Sequence, residues 1–349
     1  MEPWSRTFVG RMHELEIESE VLRGNPLGDP ATRPIWVYTP PGYDDEPDRR
    51  YPVVFAIQGF TGQLDMWRNR EPFRPTYPEA IDRLFVDGDA DGSLPPAIVA
   101  FVDCWTSLGG SQFLDSQATG RYHEHLCGEA VPFVDERFRT DAHRERRAIQ
   151  GKSSGGYGAM VTAMLRPDLF GAFASHAGDA LFEACYLPEF RESARVLRKD
   201  YGGSIERFLE DLRSRTPMTK PSDAHLLNDY AMSACYSADE DGTVRLPFEP
   251  ETGRLIDEVW QRWLAWDPVR MVPRHADAMR SMRAIWLEGG ERDEYFLDNG
   301  AVAVSRELER IGVEHRLELF DAGHMSIGYR YPLALAFLVR TLASPKEPT

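Results

Sequence analysis

The chain has 349 residues, 42% of them hydrophobic and 28% charged, with a formal net charge of −16 at pH 7. This length suits one large domain or two small ones. The negative charge argues against a nucleic-acid partner, because it repels phosphate backbones, but it leaves room for a small acidic ligand in a locally basic pocket.

Three features of the chain predict a cytoplasmic protein without a membrane partner. The longest apolar runs, such as 333–339, have about seven residues, whereas a membrane-spanning helix needs roughly 20. The segment 1–18 lacks the basic start and apolar centre of a secretory leader. The chain has four scattered cysteines, Cys104, Cys127, Cys185 and Cys235. Without a CxxC pair they predict free thiols rather than disulfides or a zinc site.

The predicted strands fall into two groups. Residues 13–22 and 33–38 alternate apolar and polar side chains, and the second run stops at Thr39-Pro40-Pro41-Gly42, so they predict an antiparallel pair at the start of a sheet. The later runs are compact and apolar without clean alternation, which is typical of parallel strands that are covered on both faces. These runs are 51–57, 97–102, 147–150, 170–175, 284–287 and 316–320.

Helical patterns lie between these strands. They cover 77–85, 123–138, 156–165, 302–311 and 333–342. Alternating strands and helices after an antiparallel start predict the α/β class, with a doubly wound and mostly parallel sheet.

The stretch 181–272 departs from this alternation. It contains the helical patterns 204–215, 225–236 and 255–266 and a candidate short exposed strand at 245–250. We expect a helical cap inserted over the carboxyl edge of the sheet, with the core formed by 1–180 and 273–349. A peripheral decoration far from any site is the alternative.

The sharpest motif is Gly151-Lys152-Ser153-Ser154-Gly155, which follows an apolar strand and precedes a helical run. It matches G-x-S-x-G, in which a strained turn lifts the serine above the sheet edge and small neighbours allow the next helix to pack closely. This pattern predicts Ser153 as a nucleophile and Lys152 as the variable position. The backbone N–H of Ser154, at the start of the helix, would face a developing oxyanion.

The letters Gly151-Lys152-Ser153 also resemble the end of a phosphate-binding loop. Such a loop needs a glycine five residues before the Gly-Lys pair, and that position is Arg146. The nucleotide-binding interpretation fails at this residue.

A serine nucleophile needs a base, which is expected after a late strand. His324 follows the strand 316–320 in the small-residue turn Asp321-Ala322-Gly323. We predict His324 as the base. His176, after the strand 170–175, is the competing histidine, and its simpler interpretation is a pocket wall.

The base in turn needs a carboxylate that fixes its tautomer. The loop after 284–287 offers Glu288, Glu291, Asp293 and Glu294. Asp293 is favoured because it lies far enough past the strand to fold back toward the histidine, whereas Glu288 is still at the strand end. Glu291 and Glu294 remain the alternatives. The simplest interpretation of these acidic residues is a solvated loop without a catalytic role.

The second oxyanion donor is expected in the loop after 51–57. Residues 58–62 form a glycine-rich turn in which the Phe60 N–H is the first choice and Thr61 the second. At the end of the fourth strand, Asp103, Cys104 and Trp105 lie at the same sheet edge. Asp103 and Trp105, with His176, are the candidate pocket residues.

These motifs together resemble a known family. The runs YPVVFAIQGFTG, GRYHEHLCGEAVPFVDERFRT, AIQGKSSGGYGAM, RPDLFGAFASHAGD, EGGERDEYFL and DAGHMS are similar to the esterase branch of the α/β-hydrolases, which includes esterase D, enterochelin and feruloyl esterases and the mycolyltransferases. The resemblance covers roughly 33–180 and 284–342 and implies the α/β-hydrolase fold.

The resemblance also implies site roles. It gives Ser153 as nucleophile, His324 as base and Asp293 as acid, with the amides of Phe60 and Ser154 as the oxyanion hole. The chain departs from many relatives in two places. It has Gln58-Gly59 where they have His-Gly, and Ser154 where they have Met after the nucleophile. Both changes leave the backbone amides in place.

The sequence therefore predicts a serine carboxylic-ester hydrolase that acts on a small-molecule ester without metal or organic cofactor. An acyltransferase of the same fold is the alternative, because it would share every catalytic group. A non-catalytic binding protein is the less favoured third interpretation. A homodimer is a further expectation, which exposed aromatic residues in the cap would suit. The cap's aromatic residues, which include Tyr236, Trp260, Trp263 and Trp266, are nevertheless expected in its core rather than on a substrate-binding surface.

Overall fold

The structure is a computed structural model, which describes residues 7–345. Its central sheet has eight strands in the order β1-β2-β4-β3-β7-β8-β9-β10, and β5 and β6 pair separately as a short ribbon. The strands are β1 (Arg11–Glu18), β2 (Thr32–Thr39), β3 (Val53–Ile57), β4 (Ile98–Val102), β5 (Asp115–Ser116), β6 (Gly120–Arg121), β7 (Arg147–Lys152), β8 (Ala172–His176), β9 (Ala284–Gly290) and β10 (Arg316–Phe320).

Strand β2 is antiparallel to both of its neighbours, β1 and β4, whereas the pairs from β4 through β10 are parallel. The predicted antiparallel start and parallel remainder are confirmed. The carboxyl ends of the parallel strands consequently meet at one edge of the sheet, where ligands bind in open α/β folds.

The buried strands pack on both faces, as their unbroken apolar sequences predict. In β3 every residue from Val53 to Ile57 is fully buried. Val53, Phe55 and Ile57 join the core under one helical layer, and Val54 and Ala56 join the core under the other. Such burial on both sides is why this strand shows no alternation.

Thirteen α-helices lie in residues 7–345. They are α1 (Tyr77–Asp87), α2 (Tyr122–Glu124), α3 (Val131–Arg137), α4 (Ser154–Leu165), α5 (Phe182–Cys185), α6 (Phe190–Tyr201), α7 (Ile205–Ser214), α8 (Asp223–Tyr236), α9 (Asp257–Leu264), α10 (Pro268–Arg274), α11 (Ala276–Arg280), α12 (Leu297–Arg310) and α13 (Tyr331–Ala343). Helices α1 and α13 pack together on one face of the sheet, and α4, α10 and α12 form a layer on the other.

The single helix predicted over 123–138 is divided in the structure. Helices α2 and α3 are joined by a π-helical turn at His125–Ala130. Pro132 follows this turn and has no N–H to donate to the carbonyl four residues earlier, so the regular ladder is interrupted there.

The insertion between β8 and β9 is helical, as predicted, and contains α5 to α10. The candidate strand at 245–250 is wrong, because the structure has a single isolated bridge within this run, at Phe248. Helix α10 packs against α4 and α12 of the sheet's helical layer. The chain thus returns to that layer before residue 272, and the division into cap and core stays a prediction.

The aromatic residues of the insertion form its own core. Trp263 is fully buried, and Trp260 and Tyr236 are 5% and 4% exposed. Only Trp266 of this group is half-buried. The expectation that the cap aromatics belong to the core is therefore confirmed for Tyr236, Trp260 and Trp263, and these three offer no exposed surface for a homodimer.

Two further observations concern the described residues 7–345. All four cysteines are buried and free, which agrees with the predicted thiols. No helix in this range has both the length and the apolar character needed to cross a membrane.

Candidate active site

The predicted nucleophile lies in a strained turn between β7 and α4. Ser153 has φ 57° and ψ −127°, a region that side chains with a Cβ rarely adopt. Its N–H donates a hydrogen bond of 2.9 Å to the carbonyl of His176 in the neighbouring strand β8. The turn is thus held to the sheet from below, and the serine is raised above the sheet's carboxyl edge.

The glycines on either side of Ser153 are required by close backbone packing. A Cβ added at Gly151 would lie 2.5 Å from the backbone of Gly155, and one added at Gly155 would lie 2.6 Å from the Ile57 carbonyl oxygen. These distances are shorter than any real contact of a Cβ. The sequence argument for small residues at both positions therefore agrees with the structure.

A continuous hydrogen-bonded chain joins the three predicted catalytic residues. His324 Nε2 lies 3.1 Å from Ser153 Oγ, and His324 Nδ1 lies 2.8 Å from Asp293 Oδ2. The Asp293 side chain is fully buried and that of His324 is 6% exposed. With the Nδ1 proton donated to Asp293, the other ring nitrogen is left to accept the proton of the serine.

The two alternative acids in the loop after β9 do not reach the imidazole ring. The Glu294 carboxylate instead accepts a hydrogen bond of 2.8 Å from the backbone N–H of His324, and this bond lowers its pKa. Glu291 is exposed. Of the three acids, Asp293 alone has an oxygen against the ring, whereas Glu294 fixes the backbone that carries it.

The competing histidine, His176, lies beneath the site. It is fully buried, and its Nδ1 is 2.6 Å from Glu288 Oε1. Burial alone would raise the pKa of Glu288, but His176 and Arg330 hold it below its usual value. This arrangement is an internal ion-pair network at the ends of β8 and β9, and His176 does not line the cavity described below.

Asp103 and Trp105 also fall outside the cavity, which corrects their prediction as pocket residues. Asp103 is buried in an ion pair with Arg33, and Arg33 also donates a 2.6 Å hydrogen bond to the Trp105 carbonyl. Arg33 on β2 therefore binds the chain after β4, and the two residues tie neighbouring strands together.

The predicted oxyanion donors have free amide groups. Within residues 7–345 the backbone N–H groups of Phe60 and Ser154 have no hydrogen-bond acceptor, and both residues line the same cavity as Ser153. The Thr61 N–H, the second choice, donates to the Gly109 carbonyl at 2.7 Å and is occupied. The amides of Phe60 and Ser154 are thus free to bind a ligand oxygen.

A cavity of about 860 Å³ opens in front of Ser153 and His324. Much of its wall is aromatic, with contributions from Phe60, Trp67, Tyr77, Tyr186, Tyr295, Tyr329 and Tyr331. The insertion supplies one side through residues that include Tyr186, Glu189, Met218 and His225. A largely apolar space that also contains polar groups suits a small organic molecule.

Sequence reasoning missed a buried network that connects the insertion to the nucleophile turn. Asp179 Oδ2 accepts hydrogen bonds from Tyr186 Oη (2.7 Å), Gln112 Nε2 (3.0 Å) and Ser154 Oγ (3.3 Å). Gln112 also donates to Tyr236 Oη at 2.8 Å. Burial raises the pKa of Asp179 against the opposing effect of these donors. Its place directly after β8, in the run ASHAGD, was the one available signal.

Lys152 was also missed, because the motif treats its position as variable. Its side chain lines the cavity beside Ser153. Burial lowers the pKa of Lys152 to about 8, although nearby carboxylates act in the opposite direction.

Among residues 7–345 no group of three or more histidine, cysteine or acidic side chains is arranged to hold a metal ion.

Comparison with known proteins places the chain in a family. Residues 30–333 match the family described as "Putative esterase". An endo-1,4-beta-xylanase/feruloyl esterase of Xylanibacter ruminicola is 28% identical over 173 residues, which are 48% of this chain and 22% of that protein. The matched stretch is thus less than a quarter of that curated relative's length.

Solved structures show the same fold. A ferulic acid esterase superimposes with a TM-score of 0.58 at 17% identity, covering 96% of this chain and 100% of the other. An S-formylglutathione hydrolase from Agrobacterium tumefaciens gives a TM-score of 0.58 at 16% identity, covering 97% and 99%. The chain has the α/β-hydrolase fold and belongs to the Putative esterase family.

Proposed function

We propose that the protein is a serine carboxylic-ester hydrolase that works through an acyl-enzyme on Ser153. Family membership supports ester hydrolysis as the class of reaction. The observation that carries the mechanism is the hydrogen-bonded chain from Ser153 through His324 to Asp293, on a strained turn that faces the cavity. This is the arrangement of a nucleophile, its base and the group that orients the base.

In the first half of the reaction, His324 Nε2 takes the proton from Ser153 Oγ as this oxygen attacks the ester carbonyl carbon. The carbonyl oxygen becomes an oxyanion and accepts hydrogen bonds from the free N–H groups of Phe60 and Ser154. Asp293 stabilises the imidazolium that forms. The tetrahedral intermediate then collapses, the bond to the alcohol oxygen breaks, and His324 gives its proton to the leaving alcohol.

In the second half, His324 removes a proton from water, whose oxygen attacks the acyl carbon on Ser153. The same two amides of Phe60 and Ser154 stabilise the second oxyanion. When the bond to Ser153 Oγ breaks, His324 returns the proton to that oxygen. The products are the free acid and the original enzyme, so no external oxidant, reductant or metal enters the balance.

An activated serine can be tested before any substrate is known. The wild type and Ser153→Ala are treated with a neutral fluorophosphonate, and their intact masses are recorded. We expect one phosphonate adduct on the wild type and none on the variant. Ser154→Ala is a matched control that should still be labelled, because only the amide of Ser154 enters the mechanism.

Two outcomes would reject the mechanism as drawn. Folded wild type without an adduct would show that Ser153 is not activated. An adduct that persists in Ser153→Ala would show that another residue is the nucleophile.

A further inference from the structure

The side chain of Lys152 lies at an unusual place for an unpaired cation. Lys152 is the last residue of β7 and precedes Ser153, and its side chain lines the 860 Å³ cavity. Its ammonium group contacts the Met325 sulfur at 4.0 Å, and a thioether is a weak acceptor. Among residues 7–345 it has no carboxylate within ion-pair distance and no oxygen acceptor.

The other acidic and basic side chains of the cavity have partners. Arg74 Nη1 binds Glu71 Oε2 at 2.7 Å, and His225 Nδ1 binds Glu189 Oε1 at 3.1 Å. His324 is bound to Asp293, and Asp179 accepts hydrogen bonds from Tyr186, Gln112 and Ser154. Lys152 is thus the one charged side chain of the cavity wall, within the described range, that lacks a charged or oxygen partner.

An ammonium group in this position has lost part of its hydration without gaining a protein acceptor. That imbalance disfavours the charged form. The pKa of Lys152, about 8, agrees with it. At pH 7 about nine tenths of the side chains still carry the charge, so an anion that enters the cavity would find a positive partner.

We propose that Lys152 binds a carboxylate carried by the ester substrate and makes the enzyme selective for monoanionic esters. This inference rests on the proposed function, because it concerns the substrate of the same site. A carboxylate would give the ammonium the charge-assisted hydrogen bonds that the protein does not supply. The overall charge of −16 repels large polyanions, whereas one carboxylate beside Lys152 is neutralised locally.

The carboxylate could belong to the acyl part or to the alcohol part of the ester, so the test has an arm for each. The acyl arm compares aryl half-esters of adipic acid with the corresponding neutral adipamate esters. The alcohol arm compares 3-carboxyphenyl butyrate with 3-carbamoylphenyl butyrate. In each pair the two esters have nearly the same shape, and the measured quantity is the ratio of kcat/KM for the anionic ester to that for the neutral ester.

We expect the wild type to prefer the anionic ester in one arm, and Lys152→Met to lower that ratio roughly tenfold to a hundredfold. Lys152→Arg should keep most of the preference. Lys199→Met, which removes a lysine from the exposed end of α6, should leave both rates unchanged. Labelling of each variant by a neutral fluorophosphonate verifies that its serine is still activated.

The results that would reject the role of Lys152 differ from those that would reject the hydrolase mechanism. Turnover of the neutral esters with no anion preference in either arm, or a preference that survives in Lys152→Met, would overturn the role of Lys152 and leave the hydrolase mechanism standing. Absence of both labelling and turnover in the wild type would reject the hydrolase mechanism, and the role of Lys152 with it.

Discussion

The three acids in the loop after β9 differ in what each one holds. Asp293 is buried against the Nδ1 atom of His324, Glu294 holds the backbone N–H of the same histidine, and Glu291 is exposed. A carboxylate at the ring controls both the tautomer and the charge of the imidazole. A carboxylate at the backbone controls only where the ring lies. Graded losses of activity are therefore expected along this short loop.

Asp293→Asn should lower kcat on a neutral aryl ester roughly 10³- to 10⁴-fold. The amide keeps the shape of the side chain but removes the charge that stabilises the imidazolium. Its NH₂ group can also donate to Nδ1 and so favour the tautomer in which Nε2 cannot take the serine proton. Steady-state kinetics at saturating ester would measure the loss.

Two neighbouring variants serve as controls for that result. Glu294→Gln should cause a much smaller loss, because the amide oxygen can still accept from the His324 N–H. Glu291→Gln should leave kcat unchanged. A loss in either control as large as that of Asp293→Asn would mean that the acid has been wrongly assigned.

The anion preference assigned to Lys152 should depend on pH. Burial lowers the pKa of Lys152 to about 8, while Asp293, Asp179, Glu294 and Glu71 oppose that shift. The ammonium is charged below this value and neutral above it. The ratio of kcat/KM for the anionic and neutral esters should therefore be high near pH 7 and fall as the pH rises through about 8.

The matched variant for this pH profile is Lys152→Arg, whose guanidinium stays charged over the whole range. Its ratio should be flat from about pH 6.5 to about pH 9.5. An equal fall in Lys152→Arg would assign the titration to another group. The test carboxylates are ionised throughout this range, so changes in the substrates do not enter the ratio.

The role of a single residue could be predicted where the neighbouring sequence determines its position in the fold. Ser153, His324 and Asp293 were placed by their positions after particular strands, and the structure brings them into hydrogen-bond contact. Asp103 shares that kind of position, yet it is bound to Arg33 from β2. The side chain of Lys152 is surrounded by loops that are distant in sequence. A local sequence pattern does not predict such packing.

At the scale of elements, the turn between β7 and α4 depends on the loop after β3. A Cβ added at Gly155 would meet the carbonyl oxygens of Ile57 and Gln58 at 2.6 and 2.7 Å. Gly59 in turn packs against the Lys152 carbonyl oxygen, which a Cβ would approach to 2.9 Å. Because these neighbours are backbone atoms, neither element can move without displacing the other.

Gly155→Ala should therefore destabilise the protein by at least about 2 kcal/mol and lower fluorophosphonate labelling of Ser153. Gly328→Ala is the control, because its Cβ would have Tyr331 at 3.9 Å as its nearest neighbour and its backbone is not in the left-handed region. Urea unfolding measures the stability. Equal midpoints for the two variants would contradict the close packing of the turn.

A strand or helix could be predicted where a single physical cause determined its sequence pattern. The unbroken apolar run of β3 indicated burial on both faces, and the structure agrees. The helical pattern over 123–138 indicated one helix, because apolar spacing says little about a π-helical turn ahead of Pro132. The run 245–250 contains strand-forming residues, but within the described part of the chain it has no neighbouring strand to pair with, so it forms a single isolated bridge at Phe248.

At the scale of the whole molecule, the insertion and the sheet build the cavity together. Asp179 and Gln112 come from the loops around the sheet, whereas Tyr186 and Tyr236 come from the insertion, and hydrogen bonds join all four. The sequence indicated a helical insertion without indicating this junction. Its members lie up to 124 residues apart, and pairing over such distances is set by the packing of the complete fold.

The insertion also contains a carboxylate that costs stability. Asp229 on α8 is 1% exposed, and neither of its carboxylate oxygens receives a well-oriented hydrogen bond from residues 7–345. Burial raises the pKa of Asp229 well above its usual value. Smaller effects come from Ser193, which lowers this pKa, and from Glu189, which raises it further. The folded protein therefore holds this proton more tightly than the unfolded chain, and folding becomes less favourable as the pH rises above the ordinary range of an aspartate.

Asp229→Asn should raise the free energy of unfolding at pH 7 by about 1–3 kcal/mol, since an amide neither buries a charge nor takes up a proton on folding. The gain should shrink as the pH falls below about 4, because the wild-type carboxyl then becomes neutral in the unfolded chain as well as in the folded protein. Urea unfolding of both proteins at several pH values measures this difference. Asp200→Asn, at the exposed end of α6, removes one negative charge without this burial and should show no such trend. A gain that is constant with pH, or equal in the two variants, would mean that the burial of the Asp229 carboxyl does not limit stability.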